Sequence, residues 1–139
     1  MATTIPVGYG RERGLDTARV LVVDSHPVVG GVVAEALAAA GYHAIHCTSP
    51  DEALRWCRLG GVDALLIEVG LHTSDGRRLA SLLSEEFPDL PVAVLTAWLD
   101  HPETRYIDRR GTRLVLHKPL QVDRLELAVR ALLDGFRSN

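Results

Sequence analysis

The chain has 139 residues, of which 47% are hydrophobic and 24% charged, and its formal net charge is −3. This length and composition predict one globular domain with a real core, and the weak negative charge gives no basis for nucleic-acid binding by bulk electrostatics. No apolar run approaches the roughly 20 residues of a membrane span, and the N-terminus has no apolar signal-peptide core. We therefore expect a cytoplasmic protein without direct nucleic-acid or membrane contacts.

Residues 1–18 mix glycine, proline and isolated charges, which predicts a flexible leader before a single domain at 19–135. The domain opens with the apolar run Val20–Val23, typical of a strand buried on both faces. A helix is predicted from Pro27, because proline suits the first helical turn. Its apolar face is predicted to comprise Val28, Val29, Val32, Val33, Ala36, Leu37 and Ala40.

The rest of the chain continues the alternation of strands and helices. Ser49 and Pro50 with the acids after them predict a helix start. Trp56 in that helix is expected to contribute to packing, with part of its ring exposed. Cys47 and Cys57 are expected to be small buried hydrophobes. The further predicted elements are strands at 44–47, 63–68, 92–96 and 114–116 and helices at 77–86, 100–110 and 122–133, the last with Leu125, Leu127, Val129, Leu132 and Leu133 inside.

Strict alternation of this kind predicts an α/β fold, a doubly wound five-stranded parallel sheet with helices on both faces. Its length and strand count favour the flavodoxin-like order 2-1-3-4-5, in which chemistry gathers at the carboxyl ends of the strands. Polar residues stand at these ends, and a single one would be ordinary. Together they predict a site: Asp24 and Ser25 after the first strand, Glu68 at the third, Thr96 at the fourth, and His117 and Lys118 after the fifth.

With these residues in register, the chain from Arg19 to Leu133 resembles the receiver domain of two-component response regulators. The run from Val23 to Pro27, Val-Asp-Ser-His-Pro, is similar to the family's Val-Asp-Asp-His-Pro with one change. Gly76 lies eight positions beyond Glu68, a glycine typical of the family. Thr96 follows Glu68 by 28 positions and Lys118 follows Thr96 by 22, close to the family's spacing.

The resemblance implies a role for each of these positions. Asp24 and Ser25 match the acid pair that binds Mg²⁺, Glu68 matches the phosphate-accepting aspartate, Thr96 the switch hydroxyl and Lys118 the phosphate-binding cation. Pro119 matches the proline of a cis peptide. Family members receive phosphate from a histidine kinase and pass the signal to an output or regulatory protein, so partners of these classes are expected.

Three departures from the family change this expectation. Glu68 replaces the acceptor aspartate, Ser25 replaces the second metal acid, and Val115 stands where many receivers place the switch aromatic. A carboxylate displaced by about 1.5 Å is a poor nucleophile in a site built for aspartate, and Mg²⁺ prefers anionic ligands. We expect a phosphorylation-independent pseudo-receiver with no cofactor and at most weak Mg²⁺ binding.

The role of Glu68 itself is open between two interpretations. Its longer side chain is expected to reach Lys118 and Thr96, which would hold the domain in an active-like state without phosphate. In the second interpretation the carboxylate only neutralises the lysine, and the domain is a fixed docking scaffold.

Two other functions and one assembly remain as alternatives. The first function is a phosphorylatable, Mg²⁺-dependent switch that keeps residual activity. The second is a cobalamin-binding domain, because Asp24 and His26 are similar to the Asp-x-His of that group, although the glycine at position 30 falls one residue late. The mixed charges of the fourth and fifth helices also suit a homodimer through those helices and the fifth strand, and they suit a solvated face equally well.

Overall fold

The structure, a computed structural model, describes residues 18–96, 113–117 and 121–137. Within these ranges the strands are β1 (Arg19–Val23), β2 (His43–Cys47), β3 (Ala64–Glu68), β4 (Val92–Thr96) and β5 (Arg113–His117). The helices are α1 (Pro27–Ala39), α2 (Pro50–Leu59), α3 (Leu79–Glu86) and a C-terminal helix (Val122–Arg137). All neighbouring strands are parallel, in the order β2-β1-β3-β4-β5.

Two cores lie on opposite faces of this sheet, because successive side chains of a strand point to opposite sides. In β1, Val20 and Val22 face the core formed with α1 and the C-terminal helix. Leu21 and Val23 face the core formed with α2 and α3. The predicted α/β class, with a parallel sheet and helices on both faces, is confirmed.

Some predicted boundaries differ from the observed ones. Helix α3 begins at Leu79 rather than at residue 77, because Arg78 forms an antiparallel bridge with His72 and the backbone of Arg77 bonds to Thr73. β2 begins one residue earlier than predicted and β5 extends one residue further at each end. The predicted helix at 100–110 and residues 1–17 lie outside the described residues.

Ala18, which the sequence assigned to the leader, belongs to the ordered domain. It is buried, and its carbonyl accepts a hydrogen bond of 2.9 Å from the amide of His43 at the start of β2. The folded unit therefore includes the residue immediately before β1.

Trp56 packs in the core, as predicted, but the expected partial exposure is wrong, because the residue is only 3% exposed. The guanidinium carbon of the buried Arg19 lies 5.2 Å from the centroid of the Trp56 ring, within the range of a cation–π contact. The amide of Arg19 also donates to Oδ2 of Asp63 at 2.7 Å. Contacts of the Arg19 side chain with Trp56 and of its amide with Asp63 thus fix the start of β1. This is the end of the strand away from the predicted site.

Four residues predicted on apolar faces are exposed instead, one of them Ala40, which follows the last residue of α1. Val28 and Val32 of α1 are 66% and 58% exposed, and Leu127 of the C-terminal helix is 63% exposed. The buried stripe of that helix comprises Leu125, Val129, Leu132 and Leu133, which recur three and four positions apart. Leu127 lies two positions from Leu125 and so points to another side. Among the described residues, no helix is long and apolar enough to cross a membrane.

Leu125 and Leu127 form a matched pair that tests this assignment. Replacing the buried Leu125 by alanine should lower the free energy of unfolding by about 2–5 kcal/mol, because a cavity is left in the core. The same change at Leu127 should alter it by no more than about 0.5 kcal/mol. Urea unfolding followed by circular dichroism measures both, and equal losses would contradict the observed face of the helix.

The two thiols lie in the core between the sheet and α2, as the sequence predicts. Burial raises the pKa of Cys47 to about 12, and the nearby carboxylate of Glu52 adds to the rise. Burial also raises the pKa of Cys57 to about 12, with Glu86 contributing. Because the thiolate is the reactive form, both cysteines are inert in the folded protein.

The raised pKa values predict a loss of stability in alkali. Unfolded thiols ionise near their usual pKa of about 9, and the folded thiols ionise only near 12, so the unfolded state is favoured as pH rises through this window. Urea unfolding at pH 7.5 and pH 10.5 should therefore show a smaller alkaline loss in the variant Cys47→Ala/Cys57→Ala than in the wild type. An identical loss in both proteins would contradict the assignment, as would rapid labelling of the native thiols by Ellman's reagent.

Candidate functional site at the carboxyl edge of the sheet

The strand register brings three of the predicted site residues to one edge of the sheet. Val23 of β1 pairs with Ile67 of β3, so the next residues along, Asp24 and Glu68, are neighbours. Glu68 in turn pairs with Leu95 of β4, which places Thr96 one step further along the same edge.

Asp24 is fully buried at the end of β1 and shapes the turn into α1. Its Oδ1 accepts a hydrogen bond of 2.8 Å from the amide of His26. His26 then caps the helix, because its Nδ1 accepts from the amide of Val29 at 3.2 Å. This acceptor role requires Nδ1 without a proton, so the imidazole is neutral in this arrangement.

Glu68 is held by the residue that follows Asp24. One carboxylate oxygen, Oε1, accepts hydrogen bonds from both the hydroxyl of Ser25 at 2.9 Å and the amide of Ser25 at 3.2 Å. Two neutral donors thus share one carboxylate oxygen, and the negative charge of this acceptor makes each hydrogen bond stronger than one between neutral groups. We call this contact the Ser25–Glu68 clasp.

The remaining predicted site residues are described only in part. Thr96 is 1% exposed at the end of β4, and its backbone pairs with His117 of β5. Val115 lies within β5, where it pairs with Val94. Lys118 and Pro119 lie outside the described residues, so the expected reach of Glu68 toward Lys118 and the cis peptide stay predictions.

Sequence reasoning missed His46, a residue of β2 whose side chain contacts the turn between β1 and α1. Its Nε2 lies 3.0 Å from the carbonyl oxygen of Asp24, at hydrogen-bonding distance. Its ring packs directly on Gly30 of α1, where an added Cβ would lie only 2.0 Å from Nε2. A glycine inside a helix was the available signal, because it often marks a close approach of another group.

The loop after Glu68 is fixed by its own polar contacts and by α2. The hydroxyl of Thr73 donates to Asp75, which lowers the pKa of that carboxyl, and Gly76 turns the chain with a φ of 87°. The amide of Ser74 donates to both carboxylate oxygens of Asp51 in the first turn of α2, at 3.1 and 3.3 Å. The loop therefore has a defined shape beside the clasp.

Comparison with known proteins decides the family. The family model described as "Response regulator receiver domain" matches residues 20–130, which is most of the chain. The chain belongs to the response regulator receiver domain family. Receiver domains are signalling modules of two-component systems. The match favours this family over the cobalamin-binding domain considered from the sequence.

Curated relatives contain this receiver domain as part of longer proteins. The nitrogen assimilation regulatory protein NtrX of Azorhizobium caulinodans is 27% identical over 120 residues, covering 85% of this chain and 26% of NtrX. The heme response regulator HssR of Staphylococcus saprophyticus is 29% identical over 121 residues, covering 86% of this chain and 53% of HssR. This chain thus spans between a quarter and about half of the length of these two relatives.

A solved structure shows the same fold. The CheY-like response regulator receiver domain protein of Methanospirillum hungatei superposes with a TM-score of 0.77 at 17% identity, covering 88% of this chain and 98% of that protein. At this identity the likeness concerns the fold alone.

The donor set of this receiver domain does not match the Mg²⁺ site that the family implies. Ser25 contributes a hydroxyl that donates a hydrogen bond to Glu68, where an acid would offer a negative oxygen to the metal. One oxygen of Asp24 and one of Glu68 already accept hydrogen bonds from the turn. Within the described ranges there is no group of three or more His, Cys, Asp or Glu side chains able to hold a metal ion.

The contact between Gly30 and His46 predicts that the effect of Gly30→Ala on the free energy of unfolding changes sign when the histidine side chain is removed. Gly30→Ala should lower the free energy of unfolding by about 1–3 kcal/mol, because the new Cβ displaces the His46 ring from Asp24. In a His46→Ala background the same change should raise it by up to about 1 kcal/mol, since alanine favours helix over glycine.

Urea unfolding of the four proteins in this cycle measures both effects. Gly31→Ala is the matched control, because the space around a Cβ at that position of α1 is open within 4 Å. A loss at Gly30 that persists without the histidine side chain would show that another contact demands the glycine.

Proposed function

We propose that this chain is an atypical receiver domain that acts through protein–protein interaction without phosphorylation at position 68. The observation that carries the proposal is the Ser25–Glu68 clasp, in which the acceptor-position carboxylate is already engaged by two donors. A nucleophile must approach phosphorus in line, and here the clasp orients the carboxylate toward Ser25.

The chemistry of the two substituted positions supports the same proposal. Glutamate places its carboxylate about 1.5 Å further from the backbone than aspartate, and a misplacement of about 1 Å can cost on the order of a hundredfold in rate. Ser25 removes one negative ligand from the position where Mg²⁺ would neutralise the phosphoryl oxygens. The residues at positions 68 and 25 therefore disfavour both the attack by the carboxylate and the neutralisation of the phosphoryl oxygens by Mg²⁺.

Partners follow from the family. Curated relatives include response regulators and a sensor histidine kinase, RcsC of Salmonella typhi, to which this chain is 30% identical over 122 residues. We propose that the domain binds a histidine kinase or an output or regulatory protein in the cytoplasm, without direct contact to nucleic acid. A homodimer through the segment at 100–110, β5 and the C-terminal helix is a further part of this proposal.

A second candidate is a phosphorylatable switch with residual Mg²⁺ binding. The buried Asp24 and the buried Thr96 favour it, because both family residues are kept at the ends of β1 and β4. This candidate requires the carboxylate of Glu68 to align with the phosphoryl group and accept it.

A phosphodonor assay separates the two candidates. With acetyl phosphate and Mg²⁺, the wild type and Glu68→Asp should gain no phosphoryl adduct by intact-mass spectrometry. The variant Glu68→Asp/Ser25→Asp should gain one, because it restores both the acceptor and the second metal acid.

Ser25→Asp alone is the control for the metal position and should stay unmodified. A stoichiometric adduct on the wild type, or a change in its spectrum on adding beryllofluoride, would refute the proposed function in favour of the switch.

A further inference from the structure

The Ser25–Glu68 clasp begins where the hydrogen-bonded ladder between β1 and β3 ends. The last pair of that ladder is Val23 with Ile67. Beyond this pair the segments that follow β1 and β3 bond to different strands. The amide of Asp24 donates to the carbonyl of Cys47 in β2, and the amide of Val69 donates to the carbonyl of Leu95 in β4. The clasp joins these two diverging segments, and its residues are 43 positions apart in sequence.

The charges at this point explain why the two residues suit each other. Asp24 is buried beside the end of β3, so an acid at position 25 would place a third carboxylate next to Asp24 and Glu68. Three carboxylates repel one another unless a cation lies between them. Ser25 removes one of these charges and supplies two donors to the carboxylate of Glu68.

We propose that the Ser25–Glu68 clasp is a metal-independent tie between the ends of β1 and β3, and that it makes this site reject Mg²⁺. The clasp supplies the connection that a divalent cation supplies when acids occupy both positions. The serine at position 25 and the glutamate at position 68 therefore act together. The longer glutamate side chain reaches Ser25, and the hydrogen bonds from Ser25 do the work of the cation. The inference rests on the proposed function in that both require Glu68 to stay unmodified.

Thermal unfolding of the full chain with and without the cation tests the rejection of Mg²⁺. The wild type should unfold at the same temperature in excess EDTA and in 10 mM MgCl₂, a concentration of about the order at which weak sites fill. The variant Ser25→Asp/Glu68→Asp should be less stable in EDTA and should gain about 3–6 °C in MgCl₂, because binding to the folded state stabilises it. A comparable gain by the wild type would overturn the inference.

A double-mutant cycle tests the tie itself and does not depend on that variant folding. Ser25→Ala should lower the unfolding temperature by about 3–6 °C in the wild type and by almost nothing in a Glu68→Met background, since methionine keeps the shape and removes both acceptors. Additive effects would overturn the inference. Glu35→Gln on the exposed side of α1 is the matched control for loss of one negative charge and should leave the cycle unchanged.

Hydrogen exchange gives a local readout that general destabilisation would not reproduce. In Glu68→Met the amide of Ser25 should exchange at least about tenfold faster, while the amide of Leu66 within β3 changes only with global stability. Equal acceleration at both amides would overturn the tie. A phosphoryl adduct on the wild type would refute the proposed function, whereas the cycle measures the clasp in protein without a phosphodonor, so the two can fail separately.

Discussion

The register of the parallel sheet is the constraint on which the site depends. Because β1, β3 and β4 run parallel and end close to one another in the register, Asp24, Glu68 and Thr96 reach one edge without any loop having to carry them there. The buried residues that hold this register lie on both faces of the strands, so a slip would disrupt the packing of both cores at once. The packing of both cores therefore fixes where the three strand ends lie relative to one another.

Strand runs, helix starts and the strand-end residues could be read from the sequence because each depends on local pattern. Ser49 accepts from the amide of Glu52, and Pro27 begins α1, as those residue types predict. The buried face of α1 was harder to predict, because several faces of that helix are apolar. In α1 periodicity could not select Val33 over Val32, and the burial of Trp56 depends on Arg19, which lies 37 positions away in sequence.

The polar contacts of the site were harder to predict than its members. The sequence predicts that Ser25 and Glu68 stand at the ends of strands in one site, but it does not predict that they bond to each other. The distance between the ends of β1 and β3 decides that the serine meets the carboxylate, and no local pattern encodes that distance. His46 was missed for the same reason, since its contacts join β2 to both β1 and α1.

The packing of His46 on Gly30 means that α1 and β2 cannot be replaced independently in a chimera. If α1 came from a receiver domain with a larger residue at position 30, that residue would clash with His46 unless β2 came from the same receiver domain. Conversely, replacing β2 alone would remove the ring that holds the carbonyl of Asp24 and would leave a gap against α1. Chimeras of this domain should therefore be joined after β2, so that the first two strands and the helix between them move as one block.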